Sequence, residues 1–159
     1  MPVASIAAAS QEELSDQFGY TEPYMLYGED NTTDSLLFER AFRVHEPNFP
    51  LVHRGNGKLI RDFLEARVQN GERLPSLVVL DIKMPGHTGL EVLEYIRKNV
   101  ALSRLPVVIL SASSEQRDIQ TAYKYRVNAY ITKPNRYGQL KALVGTLATF
   151  WISYNHPPL

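Results

Sequence analysis

Apolar and polar positions along this chain change period in a regular order. Short apolar runs at 24–27 (YMLY), 50–53 (PLVH), 77–80 (LVVL), 107–110 (VVIL) and 129–132 (AYIT) read as strands. Between them, apolar residues recur at helical spacing over about 33–43, 57–69, 88–99, 115–126 and 137–153. The third and fourth runs are apolar throughout, which suits strands covered by helices on both faces. Five β-α units in succession predict a doubly wound α/β domain built on a parallel sheet. The segment GNGK at 55–58 lacks the length and the Ser/Thr of a phosphate-binding loop, and reads as a turn before the second helix. Residues 1–22 form an N-terminal extension, with a helix start predicted by the Ser10 to Glu13 capping-box spacing; the domain itself runs over 23–154 and a tail over 155–159.

That architecture says where chemistry belongs. Ligands of open α/β sheets sit outside the carboxyl ends of the strands. At those ends stand Glu29 and Asp30 after the first strand, Asp81 after the third, Ser111 after the fourth and Lys133 after the fifth. Converging carboxylates repel, and burying them unpaired would raise their pKa values until some neutralise. A divalent cation with oxygen ligands removes the conflict, and Mg²⁺ favours one or two carboxylates with waters and phosphate oxygens. With Lys133, such an ion balances the three negative charges. A carboxylate can also act as a nucleophile toward phosphorus, giving an aspartyl-phosphate, in chemistry that depends on positioning and charge neutralisation. Lys133 and the Ser111 hydroxyl would then hold phosphoryl oxygens.

Composition removes other classes. Lys plus Arg equals Asp plus Glu at 17 each, so no net charge draws the chain to nucleic acid or an anionic membrane. Cysteine is absent, which excludes thiol catalysis and thiolate metal sites. The start MPVASIAAAS has no basic n-region and runs into acidic QEEL, a poor signal peptide, and no apolar run approaches the roughly 20 residues of a membrane span. The expected location is cytoplasmic. His45, His53, His87 and His156 show no ligand spacing, so packing or surface roles are expected for them.

The segments GEDN at 28–31, LDIKMPGHTGLEVL at 80–93, PVVILSAS at 106–113 and AYITKP at 129–134 together resemble the receiver domain of two-component response regulators, in the right order over residues 23 to about 153. The resemblance implies a flavodoxin-like fold with strand order 2-1-3-4-5 and a signalling protein rather than an enzyme. It makes Asp81 the phosphoacceptor for a sensor histidine kinase, with Glu29, Asp30, Asp81 and the Lys83 backbone carbonyl around Mg²⁺. Ser111 and Tyr130 become the hydroxyl and aromatic switch, and Lys133 the phosphate-pairing lysine. The long stretch between the second helix and third strand, and the ending FWISYNHPPL, are similar to single-domain regulators associated with phytochrome histidine kinases. Two positions depart from the family pattern: Gly28, where an apolar strand residue is usual, is expected to loosen the first strand, and Arg126 replaces a glycine in the turn after the fourth helix.

Output is expected through contact with a downstream protein or phosphotransfer target. Tyr123, Tyr125, Phe150, Trp151 and Tyr154 offer an aromatic surface for that partner or for a homodimer across the fourth helix, fifth strand and fifth helix. An alternative is a phosphorylation-independent adaptor on the same fold. A haloacid-dehalogenase-type phosphohydrolase would need a second aspartate two positions after Asp81, where Lys83 stands.

Overall fold

The computed structural model describes residues 20–158; the helix start expected at Ser10 lies outside them. Strands β1 (Met25–Gly28), β2 (Leu51–Arg54), β3 (Leu77–Leu80), β4 (Val107–Ser111) and β5 (Ala129–Thr132) form one parallel sheet in the order β2-β1-β3-β4-β5. Helices α1 (Thr32–His45), α2 (Gly57–Gln69), α3 (Gly89–Lys98), α4 (Gln116–Lys124) and α5 (Tyr137–Ala148) connect and follow the strands.

Side chains of a strand alternate between its two faces, so each strand feeds two cores. Leu26, Val78, Leu80, Val107 and Ile109 pack with Ile60, Leu64, Val92, Leu93 and Ile96 under α2, α3 and α4. Met25, Tyr27, Leu77, Val79, Val108 and Leu110 pack with Phe38, Phe42, Val144 and Leu147 under α1 and α5. The apolar runs 77–80 and 107–110 are continuous because both faces of those strands are buried.

Helix starts follow local chemistry. The Asn31 and Asn56 side chains accept the backbone N–H of Asp34 and Leu59, and Thr88 forms a capping box with Glu91. Thus GNGK is the entry to α2, as the sequence indicates.

Four expectations are corrected. β1 and β2 each lie one residue later than their apolar runs, because Gly28 pairs with both Arg54 and Leu80. Gly28 therefore does not loosen β1; a Cβ there would press on Leu80, Ile60 and Met84 at 3.1–3.3 Å, so the strand is tightly packed at that point. The fourth helix is α-helical only over Gln116–Lys124, with Arg126 at φ +59 beyond it, in the left-handed region where glycine would be easier. The fifth helix does not continue as an α-helix to 153. It widens into a π-helical turn over Thr149–Tyr154, closed by the Asn155 N–H bonding the Phe150 carbonyl. Trp151 and Ile152, adjacent in sequence, both pack on the α1/α5 core there.

No helix among the described residues is long and apolar enough to cross a membrane.

Candidate functional site: a carboxylate cluster bridged by a lysine

Asp81 follows β3 directly, and its backbone N–H extends the sheet ladder to the Gly28 carbonyl at 2.9 Å. Its side chain bends back so that Oδ1 accepts the Ile82 N–H at 2.7 Å, while Oδ2 faces Lys133 at 3.1 Å. The loop after it is held against two helix starts where side chains have no room. A Cβ on Gly89 would lie 2.0 Å from the Asp81 carbonyl oxygen, and one on Gly57 would lie 1.9 Å from the His87 carbonyl oxygen. These glycines let α2 and α3 close on the Asp81 loop.

From β1 come Glu29, fully buried, and Asp30, exposed. Each of Glu29, Asp30 and Asp81 offers a carboxylate oxygen within 4.8 Å of the others. Such hard oxygen donors at this spacing suit a small divalent cation. The residues therefore fit the metal that the sequence implies.

Lys133 is carried in from β5 by its backbone N–H, which bonds the Ser111 carbonyl at 2.8 Å. Its ammonium reaches Glu29 Oε2 at 2.5 Å, Asp81 Oδ2 at 3.1 Å and Asp34 Oδ2 at 3.1 Å. Burial, above all, pushes the Glu29 carboxyl up to about 7, against the opposing hydrogen bond from Lys133 and with help from the Asp81 charge. Burial also pulls the Lys133 ammonium down, but the hydrogen bond to Glu29 and the Asp81 and Glu29 charges outweigh it and hold Lys133 above the usual lysine range.

Ser111 ends β4 fully enclosed, its hydroxyl oxygen accepting the Ser113 N–H at 3.3 Å. Tyr130, half-buried on β5, packs against the α2/α3/α4 core and donates its O–H to the Ser113 carbonyl at 2.7 Å. Lys83 lies in the loop two positions past Asp81 with its side chain exposed. Of the aromatic residues, Tyr123, Phe150 and Tyr154 are exposed, whereas Tyr125 and Trp151 pack partly against the two cores. Of the histidines, His53 Nε2 bonds the Glu29 carbonyl at 2.8 Å and His45 Nε2 the Lys141 carbonyl at 3.0 Å, while His87 meets Arg61 and Glu91 and His156 is exposed.

The sequence reading missed Asp34. It stands in the first turn of α1, four residues past Asp30, and is the third carboxylate on Lys133 and the fourth at this edge beside Glu29, Asp30 and Asp81, so a charge balance over three acids is one negative charge short. The signal was an acid in a first helical turn, which ordinarily marks only a favourable helix-dipole position.

A parallel sheet in the order 2-1-3-4-5 carries carboxylates, a hydroxyl and a lysine at its carboxyl edge, and residues 56–145 match the family model of the response regulator receiver domain. The chain belongs to that family. It is similar to the probable methanogenesis regulatory protein FilR2 of Methanothrix harundinacea, 33% identical over 86% of this chain and 89% of that protein. It is likewise similar to response regulator Rcp1 of Synechocystis sp., 32% identical over 80% of this chain and 88% of that one. Among solved structures, the phosphorylated cyanobacterial phytochrome response regulator RcpA superposes with a TM-score of 0.79 at 32% identity, covering 87% of this chain and 100% of that chain. A manganese-bound form of response regulator Rcp1 gives a TM-score of 0.77 at 28% identity, with coverage of 87% and 100%.

Proposed function

We propose that Asp81 accepts a phosphoryl group from the phosphohistidine of a sensor histidine kinase, in a Mg²⁺-dependent reaction, within a receiver domain spanning 23–154 between an N-terminal extension and a short tail. The observation that carries this reading is the Lys133 ammonium bridging buried Asp81 and Glu29 beside the cluster of Glu29, Asp30 and Asp81. Besides pairing buried carboxylates, the ammonium places positive charge where a carboxylate must approach an anionic phosphorus, which is what phosphoryl transfer requires.

In the transfer, an Asp81 carboxylate oxygen forms a bond to phosphorus while the phosphorus–nitrogen bond of the donor breaks, its electron pair leaving on the imidazole nitrogen. Bound Mg²⁺ supplies neutralisation of phosphoryl oxygens as charge shifts. Glu29, Asp30 and Asp81 would hold it, with the Lys83 backbone carbonyl. Lys133 orients the carboxylate and offers N–H donors to the arriving oxygens. The Ser111 hydroxyl, at the end of the neighbouring strand, would donate a hydrogen bond to a phosphoryl oxygen. Because Ser113 binds both Ser111 Oγ and the Tyr130 hydroxyl, a shift of Ser111 toward phosphate pulls on Tyr130. Output then follows through the α4, β5 and α5 face, to a downstream protein, a phosphotransfer target or a second copy of the chain, in the cytoplasm. The likeness to the phytochrome response regulator RcpA supports a phytochrome kinase as the donor.

Incubation with a small phosphodonor and Mg²⁺, followed by intact mass measurement, tests the reading. Wild type should gain one phosphoryl mass and Asp81→Asn none; equal gain in both would remove Asp81 from the role.

A further inference from the structure

An ammonium has three N–H donors, and Lys133 spends all three on carboxylates: Glu29, Asp81 and Asp34. A phosphoryl oxygen on Asp81 can be bonded by Lys133 only if one of these contacts is given up. Burial decides which. The Glu29 and Asp81 side chains are 0% and 10% exposed, so depriving either of its cation would strand a desolvated charge. The Asp34 side chain is 44% exposed, and water can replace what Lys133 gives it. Two features keep Asp34 stable once released. It sits in the first turn of α1, where the helix end favours negative charge. It also borders a cavity of about 90 Å³ shared with Lys133, Arg136 and Tyr137, roomy enough for water and lined by a second cation.

We propose that Asp34 is a positioning residue that restrains phosphoryl loading: it occupies the third donor of Lys133 in the resting protein and surrenders it to a phosphoryl oxygen on Asp81. The proposal rests on the phosphoacceptor reading of Asp81. During the exchange the ammonium keeps its three hydrogens and changes one acceptor, while the bond chemistry is that of the transfer itself. Asp34 thus has two effects of one sign: it withholds a donor from the phosphoryl group, and it adds a negative charge to a site that anionic donors must approach.

The test is the rate of loading from phosphoramidate with Mg²⁺, followed by intact mass, for wild type, Asp34→Ala, Asp34→Asn and Asp34→Glu, with thermal melts to verify folding and magnesium titrations of each. Loss of one half-exposed ion pair should raise the loading rate about two- to fivefold in Asp34→Ala and Asp34→Asn. Asp34→Glu, which keeps the charge, should stay within about twofold of wild type. The gain should shrink as salt is raised, since the contact lies on the solvent side, and magnesium affinity should not weaken. A helix-capping role would lower the melting temperature without moving the loading rate, and would overturn the proposal. Slower loading with weaker magnesium binding would make Asp34 a metal ligand and overturn it as well. If wild type itself takes up no phosphoryl mass, the Asp81 reading has failed and this one falls with it; if wild type loads and the Asp34 variants match it, only the proposal for Asp34 is lost.

Discussion

The Tyr130 hydroxyl donates to the Ser113 carbonyl at 2.7 Å, tying the edge strand β5 to the loop that leaves Ser111. Tyr130→Phe keeps the ring against the core and removes only that tie. Stability should fall by about 1 kcal/mol or less, the net worth of an ordinary hydrogen bond. Any phosphorylation-dependent change in partner binding should fall with it while loading of Asp81 continues. Chemical denaturation and a binding assay on loaded and unloaded protein measure the two separately; unchanged coupling in the variant would take Tyr130 out of the switch.

Lys133→Met has a cost that depends on pH. Without the ammonium, fully buried Glu29 faces Asp81 with no cation between them, and breaking a buried ion pair of this kind typically costs about 3–5 kcal/mol. At pH 5.5 Glu29 escapes by holding its proton, because Lys133 is what lowers its pKa by hydrogen bonding. The variant should therefore be much less stable than wild type at pH 8, with the gap narrowing at pH 5.5. A pH-independent deficit would show that lost packing, not charge, is responsible.

Glu29 also sets the pH response of the wild type. Burial pushes its folded pKa up to about 7, above the ordinary glutamate value of 4.5, so between those two values the folded state holds a proton that the unfolded state does not. The contribution of Glu29 to stability is thus largest below the lower value and declines as pH rises through the upper one. A divalent cation must displace that proton. Magnesium affinity should accordingly fall roughly tenfold from its plateau as pH is lowered to 6, one unit below the folded pKa. Calorimetric titrations between pH 6 and 8 check this, and a flat profile would exclude Glu29 from the metal shell.

Gly89→Ala and Gly57→Ala put a methyl group about 2 Å from the backbone carbonyls of Asp81 and His87. Helix propensity favours alanine by about 1 kcal/mol, but backbone cannot yield as a flexible side chain can, and overpacking costs about 1–3 kcal/mol or more. Both variants should lose stability and load more slowly, since the displaced loop carries Asp81. Gly55→Ala, with nothing within 4 Å of the added atom, serves as the control and should behave as wild type.

The periodic part of this molecule was open to reading from the sequence: α2, β3 and β5 lie where their apolar patterns place them, and the polar groups at the strand ends do gather at one edge. What was hidden depends on contacts between distant segments. Asp34 looks like a helix-start acid until Lys133, 99 residues away, is seen to reach it. Gly57 and Gly89 look like turn residues until the facing carbonyls are placed. The π-helical turn interrupts an unbroken helical pattern because Trp151 and Ile152 both find core to cover, a tertiary demand with no local signature.

That turn sharpens the expectation for the output surface. Phe150 and Tyr154 are 52% and 71% exposed, whereas Trp151 packs partly on the α1/α5 core and meets the Phe150 ring edge-on at 4.9 Å between centroids. An association surface here would draw on the two exposed rings, with Trp151 as their support. Phe150→Ala and Tyr154→Ala should weaken self-association or kinase binding while changing stability by less than about 0.5 kcal/mol, as is usual for surface sites. Trp151→Ala should instead cost about 1–3 kcal/mol, less than a fully buried aromatic, and disturb binding through the loss of support. In a two-fold dimer one substitution alters both sides of the contact, so the effect on assembly should exceed that on a heterologous partner. Light scattering and kinase-binding titrations on the three variants, beside their denaturation curves, separate these roles. If Phe150→Ala and Tyr154→Ala leave association and kinase binding intact, the face at the end of α5 is not the output surface.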